Sequence, residues 1–221
     1  MDRMVVHVGS DEAGKGPVLG PMVAAAVRVD PDALPGDVDD SKRLTPARRE
    51  ELASAVRDVA DSVGIAVVSP ERIDEPETDM NTLTVDAHAE ALSAVVIGEE
   101  AVYADAGDVS ESRFARRVAA GVEERECGIG VTVQAEHGAD GRYPVVGAAS
   151  VVAKVERDRR VACLRPEYGD VGSGYPSDPR TRTFLREYVR EHGSLPACAR
   201  ASWKTCDDVL RAAEQSALDD F

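Results

Sequence analysis

Alternating apolar runs and helix-period segments predict an α/β protein with a mixed central sheet flanked by helices, plus a small helical C-terminal lobe. Three observations carry this. The runs Met4–Val8 and Leu19–Val29 are separated by a short glycine turn, which suits an antiparallel opening pair. The later strand-like runs Gly64–Ser69, Ala101–Ala104 and Ile129–Gln134 alternate with helical patterns, as parallel crossovers require. After about Leu164 the signal is mostly helical. The expected division is residues 1–164 as the α/β domain and 165–221 as a helical region packed on it.

The elements follow in order. Gly20-Pro21 reads as a bulge or bend in the second strand, and Leu34 to Asp40 as a polar loop. Thr45-Pro46 supplies an N-cap and a proline at the first helical position; Leu52, Ala53, Val56, Val59, Ala60 and Val63 then recur at helical spacing. Asn81 opens a second helix to about Ile97, closed near Gly98. A helix near Arg113 to Val122 follows the strand ending at Ala104. Val145 to about Cys163 is rich in small apolar residues, which predicts a helix packed closely on the sheet. Asp178-Pro179 starts a helix that ends near His192-Gly193, and a last one spans about Asp207 to Leu218.

At 221 residues the chain is long enough for a substantial core. No apolar stretch reaches about 18 residues without a charge, so no membrane span is expected. No secretory leader precedes the first strand, and a cytoplasmic location is expected. Cys127, Cys163, Cys198 and Cys206 form no CxxC pair and read as reduced thiols rather than zinc ligands. His7 lies in an apolar run and reads as a core residue. The net charge is −15, yet only four of the 26 basic residues are lysines: Lys15, Lys42, Lys154 and Lys204. An acid-rich, lysine-poor composition suits a very salty cytoplasm, where screening lengths fall to about 3 Å. The remaining lysines are then expected where an ammonium has a specific task.

Three acidic positions look placed rather than scattered. Asp11-Glu12 and Asp105 each directly follow an apolar strand, and Asp140 lies in the turn from Gly138 to Tyr143. Strand ends on one side of an α/β sheet converge on one crevice. Carboxylates gathered there repel one another unless cations neutralise them, and oxygen ligands suit Mg2+ or Mn2+. That arrangement serves metal-assisted phosphodiester hydrolysis. The plain alternative is a solvated surface charge, which is the reading for Asp37 to Asp40, Glu123 to Glu126 and Asp219-Asp220. Residues 9–15 also satisfy GxxxxGK, the nucleotide phosphate loop, but Gly16 stands where Ser or Thr would bind Mg2+ and Pro17 leaves no helix to open.

Asp11-Glu12-Ala13-Gly14-Lys15-Gly16-Pro17 resembles the DEAGRGP signature of the ribonuclease HII family. The likeness continues through Asp40-Ser41-Lys42, Tyr103-Ala104-Asp105-Ala106, Ala139-Asp140, Tyr143 to Val146, Ala148 to Asp158 and Gly172 to Pro179. Ser202-Trp203-Lys204-Thr205 resembles the ending of archaeal members, and the composition points to a halophile. The blocks keep the family's order over about residues 9–205. The resemblance implies an RNase H-like fold and endonucleolytic hydrolysis of the RNA strand of RNA/DNA hybrids. It also implies nicking at ribonucleotides embedded in duplex DNA, with 3′-hydroxyl and 5′-phosphate products. Asp11, Glu12, Asp105 and Asp140 match the family's catalytic, metal-binding acids, for Mn2+ or Mg2+. Gly14, Lys15 and Gly16 match the segment that approaches the ribonucleotide, and Tyr175 the tyrosine at the RNA–DNA junction.

Lys15 stands where the family usually has arginine, which keeps the charge but loses a planar fork of donors. Lys15 and Lys42 are expected on substrate phosphates, Lys154 as a brace of the active-site helix, and Lys204 as a guide of the C-terminal segment. Trp203 is expected to be a packing anchor. Arginines 113, 116 and 117, or 157, 159 and 160, either contribute to a local positive groove or pair with surface acids. A monomer without membrane attachment is expected, with a replication clamp as a possible partner. The rivals are another RNase H-like nuclease such as a junction resolvase, and a non-catalytic hybrid-binding protein.

Overall fold

The structure, a computed structural model, describes residues 6–36, 38, 44–98, 100–126 and 129–219, with side chains through Gln215. Strands β1 (His7–Ala13), β2 (Met22–Val29), β3 (Ser62–Val68), β4 (Ala101–Asp105) and β5 (Val133–Glu136) form one sheet in the order β3-β2-β1-β4-β5. β1 pairs antiparallel with β2 and parallel with β4, and β4 pairs parallel with β5. The sheet is mixed, as the opening hairpin and the later crossovers predict.

Some boundaries differ from the sequence reading. β1 runs on through Asp11 and Glu12 to Ala13, which opposes Val23 on β2, so both acids lie inside the strand. β2 begins only at Met22: Gly20 takes a left-handed φ of 77° and Pro21 has no amide for the ladder. β5 starts at Val133 rather than Ile129, where the alternation of buried Val133 and Ala135 with exposed Gln134 begins. Met4 and Val5, Asp40 to Lys42, and Cys127 lie outside the described residues.

The helices are α1 (Pro46–Val59), α2 (Pro70–Ile73), α3 (Met80–Ser93), α4 (Glu111–Arg125), α5 (Pro144–Ala162), α6 (Arg165–Tyr168), α7 (Pro179–His192) and α8 (Lys204–Asp219). Thr45 caps α1 by accepting from the Arg48 amide, and Asp178 caps α7 by accepting from the Arg180 amide. Gly193, at φ 69°, closes α7. α3 stops at Ser93, short of Ile97, where the amides of Val95 and Val96 both turn back to the Leu92 carbonyl.

The chain divides into two compact units. The first comprises residues 1–13, 23–67 and 80–156; the second comprises 14–22, 68–79 and 157–221. In the first, α1 and α5 bury Leu52, Val56, Val146, Val151 and Val152 with Val27 and Val29 of the sheet. Gly9 makes this possible, because a Cβ there would sit 2.1 Å from the Val145 carbonyl oxygen. α3 packs on α4 and on β1. In the second unit Val18, Leu19 and Val161 share a core with Leu185, Val189, Cys206 and Val209. Cys163 is exposed and Cys198 and Cys206 are buried, all three as free thiols.

Candidate active site

Successive strand residues face opposite sides of the sheet, and β1 uses both. Gly9 and Asp11 face α5, against Val145 and Ser150 respectively. Ser10 and Glu12 face α3, where both meet His88. The register of β1 with β4 pairs Ser10 with Ala104, and one step further come Asp11 and Asp105. Asp11 is buried, and its Oδ1 accepts from the Glu12 amide at 2.7 Å. Burial holds its pKa well above the usual carboxylate range, and the negative charges of Glu12 and Asp105 push the same way. These three acids are electrostatic neighbours.

Asp140 reaches the same end of the sheet by a different route. Gly138, left-handed at φ 68°, starts the short 3-10 turn Ala139–Gly141. The Ala139 amide donates to Asp105 Oδ1 at 2.7 Å, and the adjacent Asp140 is buried. Glu136 braces this turn by accepting from the Tyr143 hydroxyl, Gln134 and Arg142, which hold its pKa below the usual value. Tyr143 stacks on Tyr103 at 4.4 Å between centroids.

His88 is a member of this site that sequence reasoning missed. Its side chain is fully buried, with Nδ1 2.9 Å from Ser10 Oγ and Nε2 2.9 Å from Glu12 Oε2. Phe114 of α4 meets the ring edge-on at 5.1 Å. The signal was its place on the buried face of α3, one turn after Thr84. That spacing does not distinguish a core histidine from one that holds a carboxylate.

The second unit carries most of the other expected residues. Gly14 has φ 89° and lies so close to the Pro21 carbonyl that a Cβ would approach to 2.8 Å. Lys15 is half-buried and Gly16 exposed. Arg200, fully buried, donates to the carbonyls of Gly14, Lys15 and Gly20 at 2.6, 3.0 and 2.9 Å. Tyr175 is half-buried with the Arg157 guanidinium 5.1 Å from its ring centroid. Arg157 is itself buried and donates to the Ser173 carbonyl at 2.8 Å, so it serves this loop rather than a surface groove. Trp203 packs in the core of its unit. Lys154 is half-buried on α5, Lys204 opens α8 exposed, and Lys42 lies outside the described residues.

The acids offer only carboxylate oxygens, and one of them is buried beside two other anions. That donor chemistry fits a hard divalent cation. Among the described residues no three His, Cys, Asp or Glu side chains already converge as a finished metal-ligand cluster.

Two solved structures share the architecture. A ribonuclease H2 from Pyrococcus horikoshii OT3 superposes with a TM-score of 0.85 at 39% identity, over 95% of this chain and 99% of that one. A ribonuclease HII from Archaeoglobus fulgidus, solved in complex with PCNA, gives 0.81 at 41% identity over 90% and 95%. The fold is RNase H-like, and the chain is a ribonuclease H. A ribonuclease HII of the halophile Haloarcula marismortui is 64% identical over 216 residues, covering 98% of this chain and all of that one. The ribonuclease HII family model matches residues 8–206. The chain belongs to the ribonuclease HII family.

Proposed function

We propose that this ribonuclease H hydrolyses the RNA strand of RNA/DNA hybrids and also nicks duplex DNA at single embedded ribonucleotides, leaving 3′-hydroxyl and 5′-phosphate ends. The observation that carries the reading is the buried Asp11 carboxyl, beside the negative charges of Glu12 and Asp105 where β1 and β4 run side by side. Asp11, Glu12, Asp105 and Asp140 would hold Mn2+ or Mg2+, which when bound supplies Lewis-acid charge for phosphodiester hydrolysis. The chain's own part is orientation. The Glu12 amide fixes Asp11, the Ala139 amide fixes Asp105, and His88 fixes Glu12.

Gly14, Lys15 and Gly16 would approach the ribonucleotide, with Lys15 and Lys42 on phosphates and Tyr175 at the junction. The 2′-hydroxyl is the group that separates RNA from DNA, and main-chain donors can read it without the family's usual arginine. The protein is proposed to act as a cytoplasmic monomer, residues 1–164 providing the catalytic domain and 165–221 the helical C-terminal region. No described helix is long and apolar enough to cross a membrane. A sliding clamp is a proposed partner, supported by the PCNA complex of the Archaeoglobus relative.

One assay tests the reading. A duplex with one embedded ribonucleotide and an all-RNA/DNA hybrid are incubated with each metal across a salt series. Cleavage of both, lost in Asp11→Asn and Asp105→Asn, is expected. Cleavage of a four-way DNA junction but neither duplex would favour a resolvase, and metal-independent binding without cleavage a non-catalytic protein.

A further inference from the structure

Three successive carbonyls of the Gly14-Lys15-Gly16 loop are taken from one short segment. Arg200 binds those of Gly14 and Lys15, and the Trp203 indole N–H donates to that of Gly16 at 3.4 Å. The same guanidinium reaches the Gly20 carbonyl, closing the loop at its far end, and lies 5.0 Å from the Trp203 ring centroid. The bonds from Arg200 in this set all go to main-chain oxygens. Burial, and the nearby charge of Arg157, press its pKa down to about 10, so a buried cation is retained here against a cost.

The peptide geometry gives that cation a consequence. No cis peptide bond occurs among the described residues, and in a trans peptide the N–H points opposite to the carbonyl. The Lys15 carbonyl belongs to the same peptide as the Gly16 amide. With that oxygen drawn toward Arg200, the Gly16 N–H is turned to the other side of the loop. Gly16 is exposed, and a Cβ on it would meet nothing within 4 Å. A charged donor on the carbonyl also polarises the peptide and strengthens its N–H as a donor.

We propose that Arg200 is a positioning residue for substrate recognition: it orients the Lys15–Gly16 peptide so that the Gly16 amide donates to an oxygen of the ribonucleotide. The proposal rests on the loop's reading as a substrate-contacting segment. Arg200 itself stays beneath the loop and touches no substrate. Lysine would not replace it, because a single ammonium lacks the fork that reaches three carbonyls at once.

The test uses the full chain, with Arg200→Lys and Arg200→Met, on a duplex containing one embedded ribonucleotide. Tryptophan fluorescence, from the single Trp203, follows folding. The 15N-labelled protein reports the Gly16 amide directly. KM is expected to rise about tenfold, with kcat within about twofold, as loss of one oriented hydrogen bond predicts. The Gly16 amide resonance should move upfield in the free variant, and in the wild type it should move downfield on adding the duplex in Ca2+. Should Arg200→Met not fold, Arg200→Lys carries the test with the same directions. A folded variant that melts lower but keeps the wild-type KM and Gly16 resonance would make Arg200 a structural clamp only and overturn the proposal. If the wild type cleaves no ribonucleotide substrate, the functional reading fails first, and the amide shift on adding duplex still decides whether the loop binds it.

Discussion

Replacing His88 probes the link between the sheet and the acid site. Phenylalanine keeps an aromatic ring against Phe114 but removes both ring nitrogens. Ser10, fully buried, then loses its 2.9 Å partner, and an unsatisfied buried hydroxyl costs about 1–3 kcal/mol. Glu12, whose side chain is 11% exposed, loses a bond from its carboxylate worth about 1.5–3 kcal/mol. His88→Phe should therefore destabilise the fold by about 2.5–6 kcal/mol. His88→Ala should cost more still, because it adds a cavity and loses the edge contact with Phe114. Urea unfolding in molar salt measures both. Mn2+ titration of the free protein should show weaker binding in His88→Phe, because Glu12 loses the bond from this ring, while His88→Gln recovers part of it. A His88→Phe protein within about 1 kcal/mol of wild type, with unchanged Mn2+ affinity, would refute the claim that this ring orients Glu12.

Asp11→Asn should abolish cleavage and yet raise the melting temperature in EDTA at pH 7. The folded pKa of Asp11 is raised, so its ionisation penalises the fold above the unfolded value, and the gap to wild type should close as pH falls toward about 4. Gly9→Ala drives a methyl into the Val145 carbonyl and should cost about 3 kcal/mol or more, measured by the same unfolding. Asp108 has its pKa lowered by the bidentate Arg113, at 2.6 and 2.9 Å. That stabilisation is present above about pH 4 and lost as pH falls through the folded pKa. The melting difference between wild type and Arg113→Ala should accordingly vanish in acid; a constant difference would mean that the pair contributes through packing alone.

Much of the fold was legible because its signals are local. Thr45-Pro46 and Asp178-Pro179 each combine a capping side chain with a proline at the first turn, and both helices start there. The small residues of α5 announced a close approach, and Gly9 is where it occurs. The end of β1 was less legible. Whether Asp11 and Glu12 leave the strand or belong to it depends on pairing with Val23 and Ala24, a partner distant in sequence. The site showed the same limit. Acids after apolar runs stood out individually, whereas His88, Arg157 and Arg200 acquire their roles only through contacts across many residues. Arg200 reaches back 186 positions to Gly14. A single boundary near residue 164 likewise reflects the sequence order, while the compact units interleave segments of the chain.

The net charge of −15 remains to be reconciled with a polyanionic substrate. Arginine dominates the basic residues, but several arginines are engaged within the protein. Arg28 bridges Asp61 and Glu100, Arg142 pairs with Glu136, Arg113 with Asp108, and Arg157 and Arg200 are buried. These five arginines make their contacts within the protein. In the proposed reading, recognition rests on short-range groups: the Gly14–Gly16 loop, Lys15, Tyr175, and cations held by the acids. Counterion release, the usual source of nucleic-acid affinity, fades as salt rises. Direct contacts are no longer than the screening length of about 3 Å at molar ionic strength and lose much less. An acidic surface and a nuclease site are compatible when affinity is concentrated in contacts of that range.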